Sequence, residues 1–250
     1  MQSINKKLIN LKNILIRSNF HYFRMAMVHP PYWISANGKS CQVFADDNLG
    51  SITCYREVII DDCYDIFNYS KQVNPSVIVD IGANVGMFSK LCSLLFPNAD
   101  IYAYEPNPNA LKWLDKNSKD TRIKVFPYAV SNEMGVLMLD TECDSTIGRI
   151  NQSGKTSVKS IAASEVAESR QIDLLKMDCE GSEWSILRDK SLLQRTQYFC
   201  LEYHLYDERS IKDLKTLIQE SGHQISRISY NTAYGEKFGL LWSSRISRKE

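Results

Sequence analysis

The sequence predicts an α/β fold built on a doubly wound, mostly parallel sheet, and three observations carry that prediction. From residue 76 onward, short β-branched runs alternate with stretches of helical spacing. The first run, SVIVDIG (76–82), ends in an acid and then in a turn bearing two glycines, Gly82 and Gly86. Two late segments, HQISRISY and KFGLLWSS, follow the last helical stretch with no helix between them, as an antiparallel edge pair would. Strands alternating with helices of about ten residues make βαβ units, and such units build a parallel sheet with helices on its faces.

Along the chain, residues 1–24 place Ile4, Leu8, Leu11 and Leu15 at helical spacing with Lys6, Lys7, Lys12 and Arg17 between them. A basic amphipathic helix of this kind either lies on an anionic membrane surface or packs its stripe on the domain or on a partner chain, a second copy included. HPPYWISANGKS (29–40) reads as a loop from its proline pair and Asn37-Gly38, and residues 41–60, ending in EVII, predict one or two strands. The first core strand, SVIVDIG, leads into a helix over GMFSKLCSLLF (86–96). ADIYAYE (99–105) is a second strand stopped by Pro106, and NPNALKWLDKN starts a helix with Asn107 as cap and Pro108 at its first position. RIKVFPYAV (122–130) is a third strand. Residues 129–161 interrupt the alternation with a hairpin around Gly135 and a strand near TSVKSI. IDLLKMD, a helix near 182–193, YFCLEYH and a helix at 208–220 between Asp207 and Gly222 restore it. The strand segments of the regular part number seven. The expectation is a Rossmann-like, doubly wound, mostly parallel seven-stranded sheet closed by an antiparallel C-terminal pair over 76–250, with an N-terminal helical and β extension over 1–75.

Composition bounds the class. At 250 residues, 44% hydrophobic and 24% charged, the chain can bury a sizeable core. A net charge of +1 gives no basic stripe for nucleic acid. The seven cysteines form no C-x-x-C pair and are odd in number, which argues for a reducing compartment and against a disulfide framework or a zinc site. No apolar run is long enough for a bilayer, and the N-terminus lacks the pattern of a secretory signal, so a cytoplasmic location is expected.

The glycine turn, Asp80-Ile81-Gly82-Ala83-Asn84-Val85-Gly86, stands where ligands sit in such folds, beyond the carboxyl end of a strand. A dinucleotide fingerprint, G-x-G-x-x-G, needs glycines where this chain has Asn84 and Met87, and no G-x-x-x-x-G-K-[ST] loop is present. A pyrophosphate therefore fits poorly, and a nucleoside approaching the backbone fits well. Glu105 ends the second strand 23 residues after Gly82, the place from which an acid grips a ribose diol. The bland alternative is a tight strand-to-helix turn.

Together these residues resemble the first two motifs of class I methyltransferases that use S-adenosylmethionine. DLLKMDCEGSEW (173–184), followed by LEYH (201–204), resembles more narrowly the FkbM-type family, and REVIIDDCY (56–64) is similar to that family's Glu…Tyr lead-in. The likeness covers roughly residues 55–205, with Cys179 where the family more often carries Val; residues 1–50 match nothing. It implies an S-adenosyl-L-methionine cofactor held by Asp80, Gly82, Ala83, Asn84, Gly86, Glu105 and Pro106. Tyr128 and Ala129 would lie beside the adenine and Asp178 near the methionine amino group. The implied substrate is a hydroxyl of a small molecule, sugar or glycan.

Methyl transfer to an alcohol needs an aligned nucleophile and a group to take its proton. Candidates beyond the fourth and fifth strands are Asp178, Glu180, Glu202 and His204, with Glu183 read as a first-turn helix acid. Asp178 either contacts cofactor or acts as base, Glu180 either acts or caps the following helix, and Glu202 and His204 share strand parity. His204 has the ordinary pKa best placed for a base near neutrality. Asp178, Glu180 and His204 are also the candidate ligands for a divalent cation, although no diagnostic metal-ligand spacing is present and none is expected. Two function classes follow: an O-methyltransferase, or a silent S-adenosylmethionine-binding partner protein. The intact set of acids and the histidine favours the enzyme.

Overall fold

The structure, a computed structural model, describes residues 11–18, 27–144, 147–150, 154–206, 208–231 and 235–246. A seven-stranded sheet runs through the molecule. Its strands are β3 (Val77–Ile81), β4 (Asp100–Tyr104), β5 (Ile123–Phe126), β10 (Ile172–Met177), β11 (Thr196–His204), β12 (His223–Asn231) and β13 (Gly235–Arg245), in the order β12-β13-β11-β10-β3-β4-β5. The pairs β10–β11, β10–β3, β3–β4 and β4–β5 are parallel, whereas β13 runs antiparallel to both β11 and β12. This is the expected doubly wound sheet with its antiparallel edge pair. The order reverses between β3 and β10, so both carboxyl ends meet at the switch point where such folds bind ligands.

The crossovers follow local chemistry. Helix α4 (Met87–Leu95) starts at Gly86 in the left-handed region (φ 86°), and α5 (Pro108–Ser118) starts at Asn107, whose side chain accepts from Asn109 N. The helix expected near 182–193 is two, α6 (Glu183–Arg188) and α7 (Lys190–Gln194), because the Asp189 side chain accepts from Ser191 N and restarts the helix. Helix α8 (Ile211–Glu220) begins at Ser210, which caps Asp213 N; the Asp207 expected before it lies outside the described residues.

Several local expectations are corrected. HPPYWISANGKS is not a loop throughout. It contains the hairpin β1 (Tyr32–Ala36) and β2 (Lys39–Val43), turned by Asn37 (φ 51°) and Gly38 (φ 71°). EVII is not a strand: α2 (Leu49–Tyr55) runs into a π-helix over Arg56–Ile60, and Val58, Ile59 and Ile60 are buried. A short apolar run buried on several sides carries no period that separates strand from helix. Pro127 splits RIKVFPYAV, so β5 stays in the main sheet while β6 (Ala129–Ser131) joins a second one. That sheet, ordered β6-β9-β7-β8, adds β7 (Gly135–Asp144), β8 (Ile147–Ile150) and β9 (Thr156–Ala162). β6 and β7, which begins at Gly135, do not form a hairpin, since β9 lies between them and Ser160 is paired with both Ala129 and Gly135.

Of the N-terminal helix, the described part covers 11–17; Ile4, Leu8 and the basic residues beside them lie outside it. Its inward residue is Ile14, while Leu11 is exposed. Arg17 is turned inward, donating to the carbonyls of Ile59 (2.7 Å) and Ile60 (3.0 Å) and lying over Phe67 at 4.2 Å. Ile14, Tyr32, Ile34, Tyr55 and Ile59 share one apolar cluster with Ile78, Leu91, Ile101 and Leu174 of the sheet and its helices. The extension thus covers one face of the sheet.

Candidate active site

Two loops meet at the switch point. After β3, Gly82 N and Ala83 N both donate to Tyr104 O at 3.0 Å, tying the glycine turn to the end of β4. After β10, Asp178 N donates to Ile81 O at 3.0 Å. The loops approach so closely that a Cβ on Gly82 (φ 75°) would lie 1.7 Å from the Asp178 carbonyl oxygen. Only glycine fits there.

A cavity of about 650 Å³, counting its open mouth, lies against these loops. Gly82, Asn84, Glu105, Pro106, Tyr128, Ala129, Asp178 and Glu180 line it, and Ile150 of β8 closes one side. Eight of the residues expected from sequence therefore share one pocket. Asp80, Ala83 and Gly86 are not in its wall. Asp80 is fully buried behind the turn, accepting from Ser89 Oγ (2.7 Å) and paired with Lys176 Nζ (3.2 Å). Gly86 caps α4, where a Cβ would meet Leu114 Cδ1 at 2.6 Å.

Glu105, the residue after β4, is almost wholly buried, and its two oxygens accept from Asn84 N and Asn107 N, each at 2.7 Å. Burial pushes its carboxyl up to about 7 against those two hydrogen bonds. Each oxygen keeps a second lone-pair direction, so the carboxylate can still accept from a diol in the cavity. Asp178, in the same lining, has its Oδ1 buried with no hydrogen-bond partner among the described residues. A buried unpaired carboxylate oxygen calls for a donor, and an ammonium supplies one. The cavity lining thus offers a carboxylate with free lone pairs, Glu105, and an unpaired carboxylate oxygen, Asp178 Oδ1.

Beside the cavity sits the second cluster. His204, at the end of β11 and 5% exposed, has Nδ1 3.2 Å from Glu183 Oε1 and Nε2 3.4 Å from Glu180 Oε2. Glu202 Oε1 is 4.0 Å from the same Nε2, so Glu202 and His204 meet, as their shared parity requires. The ring lies between Tyr206 (centroids 5.6 Å apart, stacked) and Phe238 (5.1 Å). Burial alone would lower its pKa, but the Glu183 hydrogen bond and the charges of Glu183, Glu180 and Asp178 outweigh it and raise the ring to about 9. His204 is therefore an imidazolium at neutral pH. Burial, then the nearby Asp178 charge, pushes both Glu180 and Glu202 upward, Glu202 well above the usual carboxylate range.

Three residues here carry more than the sequence assigned them. Glu183 is fully buried, and its Oε1 accepts from Cys179 N (3.2 Å) and Gly181 N (3.0 Å) besides facing His204. In sequence it is indistinguishable from an ordinary first-turn acid. Lys176 is 4% exposed and donates to Gly82 O (2.7 Å), with Asp178 Oδ2 3.8 Å away. Burial disfavours its charge, but Asp80 and Asp178 raise its pKa overall. A lysine inside the apolar run IDLLKM was the available signal. Tyr64, from the extension, points its hydroxyl between Asp178 and Glu202.

Asp178, Glu180 and His204 offer ligand atoms within 4.8 Å of one another. The remaining histidines are elsewhere: His223 is buried against Ser243 and Leu193, and His21 lies outside the described residues. Six cysteines of the described residues are free. No helix among the described residues is long and apolar enough to cross a membrane.

Known proteins resemble this arrangement in sequence and fold. The hexuronic acid methyltransferase AglP of Haloferax volcanii is 28% identical over 153 residues, 58% of this chain and 62% of that protein. This chain thus spans less than two thirds of that relative's length. The 31-O-demethyl-FK506 methyltransferase FkbM of Streptomyces tacrolimicus is 34% identical over 96 residues, covering 37% of this chain and 36% of that one. Among solved structures, the magnesium protoporphyrin IX methyltransferase of Synechocystis PCC 6803, with bound S-adenosylmethionine, superposes with a TM-score of 0.53 at 10% identity over 81% of this chain and 86% of that one, a likeness of fold. A family profile described as "Methyltransferase FkbM domain" matches residues 80–225, more than half of the chain, from Asp80 ahead of the glycine turn past His204. The chain belongs to the FkbM family of S-adenosylmethionine-dependent methyltransferases.

Proposed function

We propose that this protein is an O-methyltransferase acting on a hydroxyl of a small molecule or sugar. The observation that carries the reading is the junction of two sites at the carboxyl ends of the central strands β3, β10 and β11. The pocket from Gly82 to Glu105 opens onto Asp178 and Glu180, and these stand beside Glu202 and His204. Bound there, S-adenosylmethionine supplies an electrophilic methyl group on a good leaving group. The chain's own residues then have two tasks, to hold the acceptor oxygen in line and to receive its proton. Glu105 holds the ribose and Asp178 the amino group. His204, kept charged by Glu183, is a poor proton acceptor at neutral pH. The proton passes instead to the Asp178–Glu202 carboxyl pair, whose Glu202 member has a raised proton affinity and lies 4.0 Å from the imidazolium.

The names of the two relatives, a hexuronic acid methyltransferase and a 31-O-demethyl-FK506 methyltransferase, support acceptors that carry oxygen. We assign no metal to Asp178, Glu180 and His204, because the Lys176 ammonium, 3.8 Å from Asp178 Oδ2, already supplies a cation beside that carboxylate. The test is a screen of sugar, uronic acid and polyketide-like hydroxyl acceptors with methyl-labelled cofactor in the presence of EDTA. The expected result is an O-methyl product formed undiminished by the chelator. Label on nitrogen or carbon, or transfer abolished by EDTA and restored by a divalent cation, would overturn this reading.

A further inference from the structure

Tyr64 belongs to neither strand end that builds the site. It arrives from the extension, and the chain is bent to bring it there. The π-helix over Arg56–Ile60 closes with Asp61 N on Arg56 O (2.8 Å), and Cys63 N then returns to Glu57 O (2.9 Å). Asp62 and Asp65, on either side of Tyr64, both sit in the left-handed region (φ 51° and 58°). Non-glycine residues adopt that region at a cost, so two of them around one side chain mark a position the rest of the fold enforces. The Asp62 carboxylate secures the turn by accepting from Ile66 N (2.8 Å) and Phe67 N (3.1 Å). The Tyr64 ring stands edge-on to Phe88 of α4, with centroids 5.6 Å apart, and its carbonyl accepts from Trp242 Nε1 of β13 at 3.3 Å.

So held, the Tyr64 hydroxyl lies 3.2 Å from Asp178 Oδ2 and 3.4 Å from Glu202 Oε2. These carboxyls come from the ends of two different strands, and a single phenol proton is shared between them. We propose that Tyr64 is the positioning residue of the proton-accepting pair: its hydroxyl bridges Asp178 and Glu202, fixes their separation, and stabilises whichever of them is ionised when the acceptor proton is taken up. Tyr64 touches neither donor nor acceptor in this role; it acts through the two carboxyls. The proposal rests on the methyl-transfer reading above for its purpose, but the bridge itself exists without any substrate.

The phenol is suited to the task. Burial, then the charges of Asp178 and Glu202, pushes it well above its ordinary value, so it remains a donor across the working pH range. The groups facing the pair are Glu57 of the π-helix, Cys63 beside Tyr64, Lys176 and Glu180 around β10, and His204 on β11. Of these only Lys176 and His204 favour an ionised carboxylate, Lys176 standing 3.8 Å from Asp178 and His204 4.0 Å from Glu202. Removing the hydroxyl takes away the donor that Asp178 and Glu202 share, which raises the proton affinity of Glu202.

Tyr64→Phe tests this on the 250-residue chain, because it keeps the ring that packs on Phe88 and removes only the hydroxyl. The Glu202 carboxyl is followed by carbon-13 NMR across pH with S-adenosylhomocysteine bound, its resonance assigned by loss in Glu202→Gln. The expected result is a midpoint raised by at least one pH unit, with S-adenosylhomocysteine affinity within twofold of the parent. With the acceptor from the screen, kcat falls at least tenfold and KM stays within twofold. If Tyr64→Phe does not fold, Glu202→Gln in the parent must move the Tyr64 ring Cζ resonance. A Glu202 midpoint unchanged on losing the hydroxyl, or a Tyr64 resonance unmoved by Glu202→Gln, overturns the proposal. Failure of the methyl-transfer reading would show differently, as absence of transfer by the parent chain.

Discussion

Glu183 and His204 make the clearest single-residue case. The ring is held charged because a fully buried carboxylate stands 3.2 Å from Nδ1 while two further acids face Nε2. Glu183→Gln keeps an oxygen for Cys179 N and Gly181 N but removes the charge. The His204 midpoint should then drop from about 9 by at least one unit, which proton NMR of the imidazole would read directly. The sign for stability follows. A histidine whose folded pKa lies above its unfolded value of 6.5 contributes stability that is complete below pH 6.5 and lost as pH rises through about 9. Thermal melts should therefore show Glu183→Gln destabilised at pH 6 by about 1.4 kcal/mol for each unit of lost shift, and much less so at pH 10. Melts equally lowered at both pH values would count against the charged pair. At this scale the sequence displays chemistry but not partners. Glu202 and His204 could be matched by parity, and Glu105 by its distance from Gly82. Glu183 could not be told from a helix-start acid, because what distinguishes it is a turn at Glu180 and Gly181 (φ 52° and 103°) that folds its side chain back onto two amides.

Among the elements, the glycine turn and the loop after β10 depend on each other. Gly82→Ala would drive a Cβ into the backbone oxygen of Asp178, which cannot swing aside, while Gly86→Ala meets only the movable end of Leu114. Both substitutions force alanine into left-handed backbone, at about 1–2 kcal/mol. The first should therefore cost more than about 2 kcal/mol and remove detectable S-adenosylhomocysteine binding. The second should cost about 1–2 kcal/mol and leave affinity within a few-fold, as urea denaturation and calorimetry on the pair would show. Equal effects on binding would contradict the close approach of the two loops. The β3–α4–β4–α5 run is readable because period, caps and proline placement agree there. Elements elsewhere escape for stated reasons. The π-helix carries a β-branched run, EVII, whose burial on several sides hides its period. The β6–β9–β7 sheet is nonlocal, since β9 inserts between neighbours in sequence, and no local pattern announces an insertion.

At the scale of the molecule, the extension and the sheet share one apolar cluster, from Ile14 and Tyr32 through Tyr55 to Ile78 and Leu174. One member of the extension, Tyr64, reaches into the site. The extension therefore packs into the core and reaches the site, although the likeness legible in its sequence begins only near residue 55. The net charge of +1 gives no field for a polyanion, and the local charge that matters is the acid excess at the carboxyl ends of the central strands. Everything rests on the pocket between Gly82 and Glu105 being the donor site. Calorimetric titration of S-adenosylhomocysteine into the full chain and into Glu105→Ala tests that most directly. The account predicts saturable micromolar binding to the parent, at least tenfold weaker binding to the variant, and no heat with NAD, since loss of a buried charged acceptor costs about 1.5–3 kcal/mol. Binding unchanged by the substitution, or a preference for NAD, would contradict it.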